Sequence, residues 1–270
     1  MIAPARNVVV LPDSMPEEYG ALVEPLAVGF HAAVSGSVGP DDVVFVIGGG
    51  PIGQAAALGP RRLGAQRVVV SEPNPARRAL IDKLGSATLD RLTGDVPQQV
   101  EASLGRPATV MLDAVGTSRT LADGLTASGL GARVVLVGMG AREITLLAFE
   151  ISTYERRIIG SCTYSSQEFR ATAEWVASAP EELQHLINDR VDLDGASEAF
   201  ARLASGDLDV SNPGLFASWR STGRRPIPCR AFGMCGPRSY AAAVRLPRPG
   251  PGALDRRPHF LADVRLLDVA

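Results

Sequence analysis

The sequence contains no apolar run that approaches the ~18 residues a membrane-spanning helix requires. Its first residues, MIAPARNVVVLPDSMPEE, are interrupted by Pro, Asp and Glu before a signal-peptide core could form. These absences predict a cytoplasmic protein with no membrane partner. With 270 residues and 46% hydrophobic content, the chain can bury the core of one large domain or two small ones.

Cysteine is scarce. The three cysteines, Cys162, Cys229 and Cys235, form neither a Cys-x-x-Cys pair nor a zinc-finger spacing. This pattern argues against a structural zinc site in the chain and is typical of proteins from a reducing compartment. We expect each thiol to behave as a small hydrophobic side chain.

Lysine is nearly absent: Lys83 is the only lysine in the chain. Arginine is concentrated at the end: residues 211–270 carry ten Arg against three Asp, with eight Pro, whereas residues 1–210 carry 17 basic and 26 acidic side chains. The segment could be a basic arm for nucleic acid or an acidic partner, or it could be unfolded. Since the segment contains no lysine, we expect no nucleic-acid partner and a disordered tail over 211–270.

Short apolar runs alternate with helical stretches from residue 36 to residue 160, which is typical of βαβ units in a parallel sheet. The runs are nearly continuous, as in strands that helices cover on both faces. The predicted strands are Val43–Ile47, Arg67–Ser71, Thr109–Asp113, Arg133–Val137 and Ile158–Ser161. The predicted helices are Pro51–Leu63, Pro75–Leu84 and Thr117–Ala127.

The stretch VVFVIGGGPIGQ, residues 43–54, places three glycines between the first of these strands and the first helix. In a dinucleotide site the first glycine permits a tight turn, the second lets the backbone approach the pyrophosphate, and the third lets the helix pack closely on the strand. Gly48, Gly50 and Gly53 occupy these places, and Pro51 suits the first helical turn. A simple tight turn is the alternative, since the pattern alone is weak.

Glu72 strengthens the dinucleotide interpretation, because it ends the second strand about 20 residues beyond the glycines. A carboxylate at this place accepts hydrogen bonds from both adenosine ribose hydroxyls and repels a 2′-phosphate. The sequence therefore predicts a doubly wound Rossmann sheet that binds NAD in preference to NADP. Arg77 and Arg78 leave a second possibility open, because an arginine there could stack on adenine or reach a phosphate.

Six segments in order carry a family resemblance: LPDSMPEEYGALVEPLAVGFHAA, GGGPIG, VVVSEPNPARR, MLDAVG, VVLVGM and ERRIIGSCTY. Together they resemble the medium-chain dehydrogenase/reductase family, within its zinc-dependent polyol, butanediol and threonine dehydrogenase branch. The resemblance extends from Val8 to Asp207. The short-chain dehydrogenases are excluded, because they need Tyr-x-x-x-Lys and Lys83 has no tyrosine four residues before it.

The resemblance implies a role for each of several positions around the cofactor. Besides the three glycines, Glu72 and Arg77, the expected cofactor-binding residues are Pro51, Ile52, Ala114, Val115, Gly116, Val137, Gly138 and Met139. The segment 114–116 would line the adenine side of the cleft, and 137–139 would present backbone to the nicotinamide carboxamide. Arg77 would lie over the adenine.

Glu24, in VEPLAVG, matches the glutamate that lies beside the catalytic zinc in this branch and can ligate it. It is the catalytic and metal candidate, and a cap at a helix start is the alternative. His31 we expect to be a packed or capping histidine. Zinc needs about three protein ligands and an open position, so Glu24 alone cannot hold the ion. We therefore expect no zinc on this chain.

The resemblance implies four parts: the end of a catalytic domain with a lead-in helix (1–30), a Rossmann domain (31–180), a return segment (181–210) and the tail. The implied reaction is reversible oxidation of a secondary alcohol to a ketone, with hydride transfer to NAD. A zinc-free reductase and a non-catalytic NAD-binding remnant are the alternatives. We expect a small alcohol or ketone substrate.

Two further expectations concern shape. Pro60 lies inside the first predicted helix and should kink it or end it early. In the resembled family the edge strand near RVVLVGMGAREITLL pairs with its counterpart in a second subunit, so we expect a homodimer formed through the sheet edge.

Overall fold

A computed structural model describes residues 7–178, 180–187, 190–191, 195–205 and 242–244. The strands are β1 (Val8–Val10), β2 (Val43–Ile47), β3 (Arg67–Ser71), β4 (Ala87–Leu89), β5 (Ala108–Asp113), β6 (Ser128–Leu136), β7 (Arg157–Gly160) and β8 (Ala242–Val244). The helices are α1 (Glu17–Ser35), α2 (Pro51–Arg62), α3 (Pro75–Lys83), α4 (Val96–Leu104), α5 (Ser118–Thr126), α6 (Ala148–Thr153), α7 (Ser166–Ala177) and α8 (Ala196–Ser205), with a 3-10 helix at Glu181–Leu186.

Six strands form one parallel sheet in the order β4-β3-β2-β5-β6-β7. The chain moves outward from β2 to β4, then crosses back to start again at β5 beside β2. This reversal makes the sheet doubly wound and leaves a crevice at the carboxyl ends of β2 and β5. The predicted Rossmann-type architecture is confirmed.

The boundaries of β2 and β3 agree with the prediction, and those of β5, β7, α2, α3 and α5 agree within one residue. β6 begins five residues earlier than predicted and ends one residue earlier. The sequence did not indicate β4 or α4. β4 has only three residues, and α4 begins behind Asp95, whose side chain accepts a hydrogen bond from Gln98 N (2.9 Å). Such short elements carry little periodic signal.

Alternate residues of β2 face opposite sides of the sheet. Val44 and Val46 pack with residues of α1 and α2 on one side, while Phe45 and Ile47 pack with residues of α4 and α5 on the other. A third cluster joins α1 to α7 and the 3-10 helix. The sheet is thus covered on both faces, which explains why its strands read as continuous apolar runs.

The predicted tail lies outside the described residues except for β8, which pairs in parallel with β1. Within the described part of the chain, no helix has both the length and the apolar character needed to cross a membrane.

Of the two outcomes expected at Pro60, the early end of the helix is wrong, because α2 continues past Pro60 to Arg62, and the kink stays a prediction. The lack of a side chain at Gly59 lets this part of α2 pack closely against α1, because a Cβ there would lie 2.9 Å from the Gly29 carbonyl oxygen of α1. In turn, a Cβ on Gly29 would lie 2.3 Å from the Ala55 carbonyl carbon. α1 and α2 therefore pack backbone against backbone, and this packing outweighs the poor helix propensity of Gly59 and Pro60.

The predicted edge strand is also corrected. β6 contains Arg133–Leu136 and pairs with β5 on one side and with β7 on the other, so it lies inside the sheet. The outer strands are β4 and β7. The sequence predicted both strands, but the order of strands in the sheet depends on pairing between distant segments, so the sequence did not show that β7 is the outer one.

The close crossing of α1 and α2 generates a stability prediction. Gly29→Ala should destabilise the fold by about 1–3 kcal/mol, because the overpacked methyl group meets backbone atoms that cannot move independently. The better helix propensity of alanine, worth about 1 kcal/mol, offsets part of this cost. Denaturant unfolding measures the difference. Gly39→Ala is the control, since a Cβ there meets only Asp42 Oδ2 at 4.0 Å; equal stabilities of the two variants would contradict the prediction.

Candidate functional site

The candidate site lies at the carboxyl ends of β2, β3, β5 and β6, where four loops are connected by backbone hydrogen bonds. Gly48 N donates to Ser71 O (2.9 Å), Ala114 N to Ile47 O (2.9 Å) and Val137 N to Asp113 O (3.0 Å). The loops predicted to bind the cofactor are therefore adjacent. This is the position where open α/β sheets bind ligands.

Gly48 and Gly53 shape the first loop. Gly48 has a φ of +95°, and a Cβ there would lie 2.7 Å from Val115 Cγ2. A Cβ on Gly53 would lie 1.8 Å from the Gly48 carbonyl oxygen. Gly48 therefore makes the turn and Gly53 lets α2 pack against it, as the sequence pattern predicted for these positions.

Gly50 has a different environment. It is the N-cap of α2, with extended backbone, and a Cβ there would meet no atom of the described residues within 4 Å. The first turn of α2 has no side-chain cap, Pro51 has no N–H, and the first bond within the helix runs from Gln54 N to Gly50 O (2.9 Å), so the N–H groups of Ile52 and Gly53 precede the helical hydrogen bonds. Free N–H groups at a helix N-terminus bind anions such as phosphate.

Gly49 completes the loop, although the sequence analysis assigned it no role. Its N–H donates to Glu72 Oε2 (2.7 Å), and a Cβ there would lie 2.8 Å from Glu72 Cγ and 2.6 Å from Ile81 Cδ1. The side chain of Gln54 is fully buried and donates from Nε2 to Gly49 O (2.9 Å). The run of three consecutive glycines was the available signal for Gly49.

Glu72 is only 4% exposed, and its carboxylate is held by backbone groups on both sides. Oε2 accepts from Gly49 N, and Oε1 accepts from Asn74 N (2.8 Å). An ionised carboxylate offers about four lone-pair sites, so these two bonds leave further acceptor capacity. The predicted ribose-binding residue is thus fixed against the glycine loop.

The two neighbouring arginines have different surroundings. Arg77 Nη1 lies 3.8 Å from Glu72 Oε2, and its side chain is 41% exposed. Arg78 Nη1 instead contacts the carbonyl oxygens of Glu72 and Pro73, at 2.7 Å each. Arg77 is therefore the arginine beside the acidic group of the site.

Asp113 organises the other half of the site and was also missed. It is fully buried; Oδ1 accepts from Val115 N and Gly116 N (2.9 Å each), and Oδ2 accepts from Thr120 Oγ1 (2.9 Å). It ends β5 in MLDAVG, so its place directly before the loop was the available signal. Asp113 fixes the loop that contains Ala114 and its neighbours.

The segments 114–116 and 137–139 lie in direct backbone contact. Gly116 has a φ of +78°, and a Cβ on it would lie 2.1 Å from Gly138 O. A Cβ on Gly138 would lie 2.3 Å from the Val115 carbonyl carbon. Met139, next to Gly138, is 89% exposed. The structure therefore brings these predicted residues together at one rim of the crevice.

Glu24 lies in the middle of α1, so the alternative that it caps a helix start is wrong. Tyr164 Oη donates to Glu24 Oε1 at 3.2 Å. Burial raises the pKa of the Glu24 carboxyl above its usual 4.5, and the hydrogen bond from Tyr164 opposes this shift. No group of three or more His, Cys, Asp or Glu in the described part of the chain could hold a metal ion. These residues do not fit a catalytic zinc.

His31 connects two helices. Its Nδ1 lies 2.8 Å from Glu168 Oε1 of α7, and its Nε2 lies 3.3 Å from Ser35 Oγ. The imidazole is a quarter exposed. His31 is therefore a polar bridge between α1 and α7.

The raised pKa of Glu24 gives a pH prediction. The folded state holds the Glu24 proton more tightly than the unfolded state does. The contribution of Glu24 to folding stability is therefore complete below the unfolded pKa of about 4.5, and it is lost as the pH rises through the folded pKa. Glu24→Gln removes this loss and keeps an acceptor for Tyr164. The variant should be more stable than the wild type near neutral pH, and the difference should vanish near pH 4, measured by denaturant unfolding. A difference that does not change with pH would contradict this.

Comparison with known proteins agrees with this geometry. Residues 51–178 match the family model described as zinc-binding dehydrogenase. Mouse (Mus musculus) sorbitol dehydrogenase is 32% identical over 200 residues, which cover 73% of this chain and 56% of that protein. The chain thus spans a little over half the length of such curated relatives.

Solved structures give the same picture. 2R,3R-butanediol dehydrogenase from Bacillus subtilis superposes with a TM-score of 0.67 and 26% identity, covering 72% of this chain and 56% of that one. A zinc-binding dehydrogenase from Sinorhizobium meliloti 1021, bound to NADP, superposes with a TM-score of 0.65 and 27% identity, covering 71% and 57%. With the doubly wound sheet and its glycine loop, these matches show that the chain belongs to the medium-chain dehydrogenase/reductase family, in its zinc-type alcohol and polyol dehydrogenase branch.

Proposed function

We propose that this chain is the NAD-binding part of an alcohol or polyol dehydrogenase. The observation that carries the proposal is the buried Glu72 carboxylate, held by Gly49 N–H beside a helix N-terminus that is open at Gly50. Such a pairing provides one group for the ribose hydroxyls and another for the pyrophosphate. The dehydrogenase names of the relatives support an oxidoreductase.

The preference for NAD over NADP rests on Glu72. A 2′-phosphate would bring negative charge against a buried carboxylate, while a ribose diol supplies donors for its remaining lone pairs. The Sinorhizobium relative was solved with NADP, so family membership does not determine which cofactor binds. We propose that the residue at position 72 determines it. Arg77, 3.8 Å from the carboxylate, partly compensates its charge and is available to lie over the adenine.

The residues of this chain bind and orient the cofactor. The N-terminus of α2 would donate backbone hydrogen bonds to the pyrophosphate, and Glu72 would accept from the ribose hydroxyls. The contact of Gly116 with Gly138 would hold the segment 137–139 in place beside the nicotinamide. A bound nicotinamide would supply the hydride acceptor for the oxidation of an alcohol. Asp113 contributes by holding the loop before α5 in one conformation.

The activation of the alcohol is a separate requirement. In the resembled branch a zinc ion polarises the alcohol oxygen, and about three protein ligands are needed to hold it. Among the described residues Glu24 matches one such position, and no group there completes a metal site. We therefore propose that turnover of a secondary alcohol needs ligands from outside the described residues. A non-catalytic NAD-binding module is the second candidate, supported by the same observation.

We also propose a homodimer formed through β7. Among the described strands β7 is an outer strand of the sheet, and an exposed strand edge favours pairing with a second copy. Large apolar side chains are exposed on the segments before it, with Leu147 at 62% and Phe149 at 78%. Association of two copies would cover both features.

The cofactor preference can be measured directly. The purified chain should bind NADH several-fold more tightly than NADPH in a fluorescence titration, because only NADH has both hydroxyls free on the adenosine ribose that Glu72 would bind. Glu72→Ala should narrow the gap between the two affinities. Equal affinities in the wild-type chain would refute the assignment.

The role of Gly50 can be separated from folding. Gly50→Val should abolish NADH binding, because the side chain fills the space beside the α2 N-terminus that the pyrophosphate requires. The unfolding midpoint should change little, since a Cβ there meets no protein atom within 4 Å. Gly39→Val, at the opposite end of β2, is the control and should bind as the wild type does. Normal energy transfer from protein to NADH in Gly50→Val would contradict the prediction.

A further inference from the structure

Arg78 contacts the backbone that carries the ribose-binding carboxylate. Its Nη1 lies 2.7 Å from Glu72 O, 2.7 Å from Pro73 O and 3.1 Å from Asp90 Oδ2. We call residues 72–74 the ribose loop. All three contacts of Nη1 are to this chain's own oxygens, two of them in the ribose loop. This nitrogen is thus engaged with protein acceptors.

The acceptor that anchors Arg78 is itself fixed. Asp90 follows β4, and its Oδ1 accepts from Leu92 N (2.9 Å) while its carbonyl accepts from Thr93 N (3.1 Å). The side chains of Arg78 and Asp90 are 23% and 17% exposed, so the ion pair is largely shielded from solvent. A partly buried pair with a fixed acceptor holds its geometry better than a surface pair.

The ribose loop is consequently restrained from two directions. On one side, the Glu72 carboxylate accepts from Gly49 N and Asn74 N. On the other side, Glu72 N donates to Leu89 O (3.0 Å), and Arg78 binds the carbonyl groups. Removing Arg78 would free the backbone of the ribose loop, so the carboxylate would still be present but would be held less firmly.

We propose that Arg78, anchored by Asp90, is a positioning residue that sets the cofactor preference of the site by acting through Glu72. This rests on the proposed function, because it requires that Glu72 recognises the ribose. A carboxylate held in one position binds a diol well and excludes a 2′-phosphate strictly. A carboxylate on a mobile loop binds the diol more weakly and excludes the 2′-phosphate less strictly, because the loop must be ordered at each binding event.

The first test compares the affinities for NADH and NADPH in binding titrations. Arg78→Met keeps most of the aliphatic stem and removes the guanidinium, so NADH binding should weaken about fivefold or more while NADPH binding changes less. For Arg78→Lys, the affinity for NADH should lie between those of the wild type and Arg78→Met, since lysine keeps the positive charge but its shorter side chain does not bring the nitrogen to the position of Nη1. Arg119→Met is the matched control, because Arg119 is 70% exposed in a helical pair with Asp123. It should bind as the wild type does.

A double-mutant cycle shows whether Arg78 acts through Glu72. In the Glu72→Ala background, Arg78→Met should leave the ratio of NADH to NADPH affinity unchanged, because no carboxylate remains to be positioned. Fully additive effects would overturn the proposal. A larger loss for NADPH than for NADH in either background would also overturn it, since that result means direct contact of Arg78 with the phosphate.

Hydrogen exchange in the cofactor-free chain gives a readout that does not depend on binding. The amides of Gly49 and Asn74, which donate to the Glu72 carboxylate, should exchange faster in Arg78→Met than in the wild type or Arg119→Met. Unchanged exchange would overturn the positioning role alone. If the wild-type chain binds neither cofactor, the proposed function and the cofactor preference both fail.

Discussion

The hydrogen bond from Gly49 N to Glu72 Oε2 is the contact on which the candidate site depends. It joins the loop after β2 to the loop after β3, and it is possible because residue 49 has no side chain: a Cβ would lie 2.8 Å from Glu72 Cγ. The bond also compensates the burial of a carboxylate that is only 4% exposed. A single contact thus places the acidic group for a ribose beside the helix N-terminus for a pyrophosphate.

Asp113 plays the equivalent part on the other side of the crevice. It too is a buried acid at the end of a strand, and it binds the N–H groups of Val115 and Gly116 in its own loop. The sheet supplies the rigid ends from which both acids project, and the glycines allow the loops to approach one another. Preorganised groups of this kind need little rearrangement to receive a ligand. The site is therefore a product of the strand order as much as of the glycine motif.

The sequence predicted the features that local patterns determine. β2 and β3 are continuous apolar runs, and Gly48, Gly50 and Gly53 have the turn, open and close-packed environments that their spacing indicated. Other features depend on contacts between distant segments. They are the hydrogen bond of Gly49 to Glu72, the ion pair of Arg78 with Asp90, and the interior position of β6. Pro60 shows the same limit, because local propensity predicted an early helix end that the packing of α1 on α2 prevents.

A crystal structure of the chain with bound NADH tests the central claim most directly. The account predicts both adenosine ribose hydroxyls within hydrogen-bonding distance of the Glu72 carboxylate, and the pyrophosphate against the first turn of α2 beside Gly50. A cofactor bound elsewhere on the sheet, or a ribose that makes no contact with Glu72, would contradict the account.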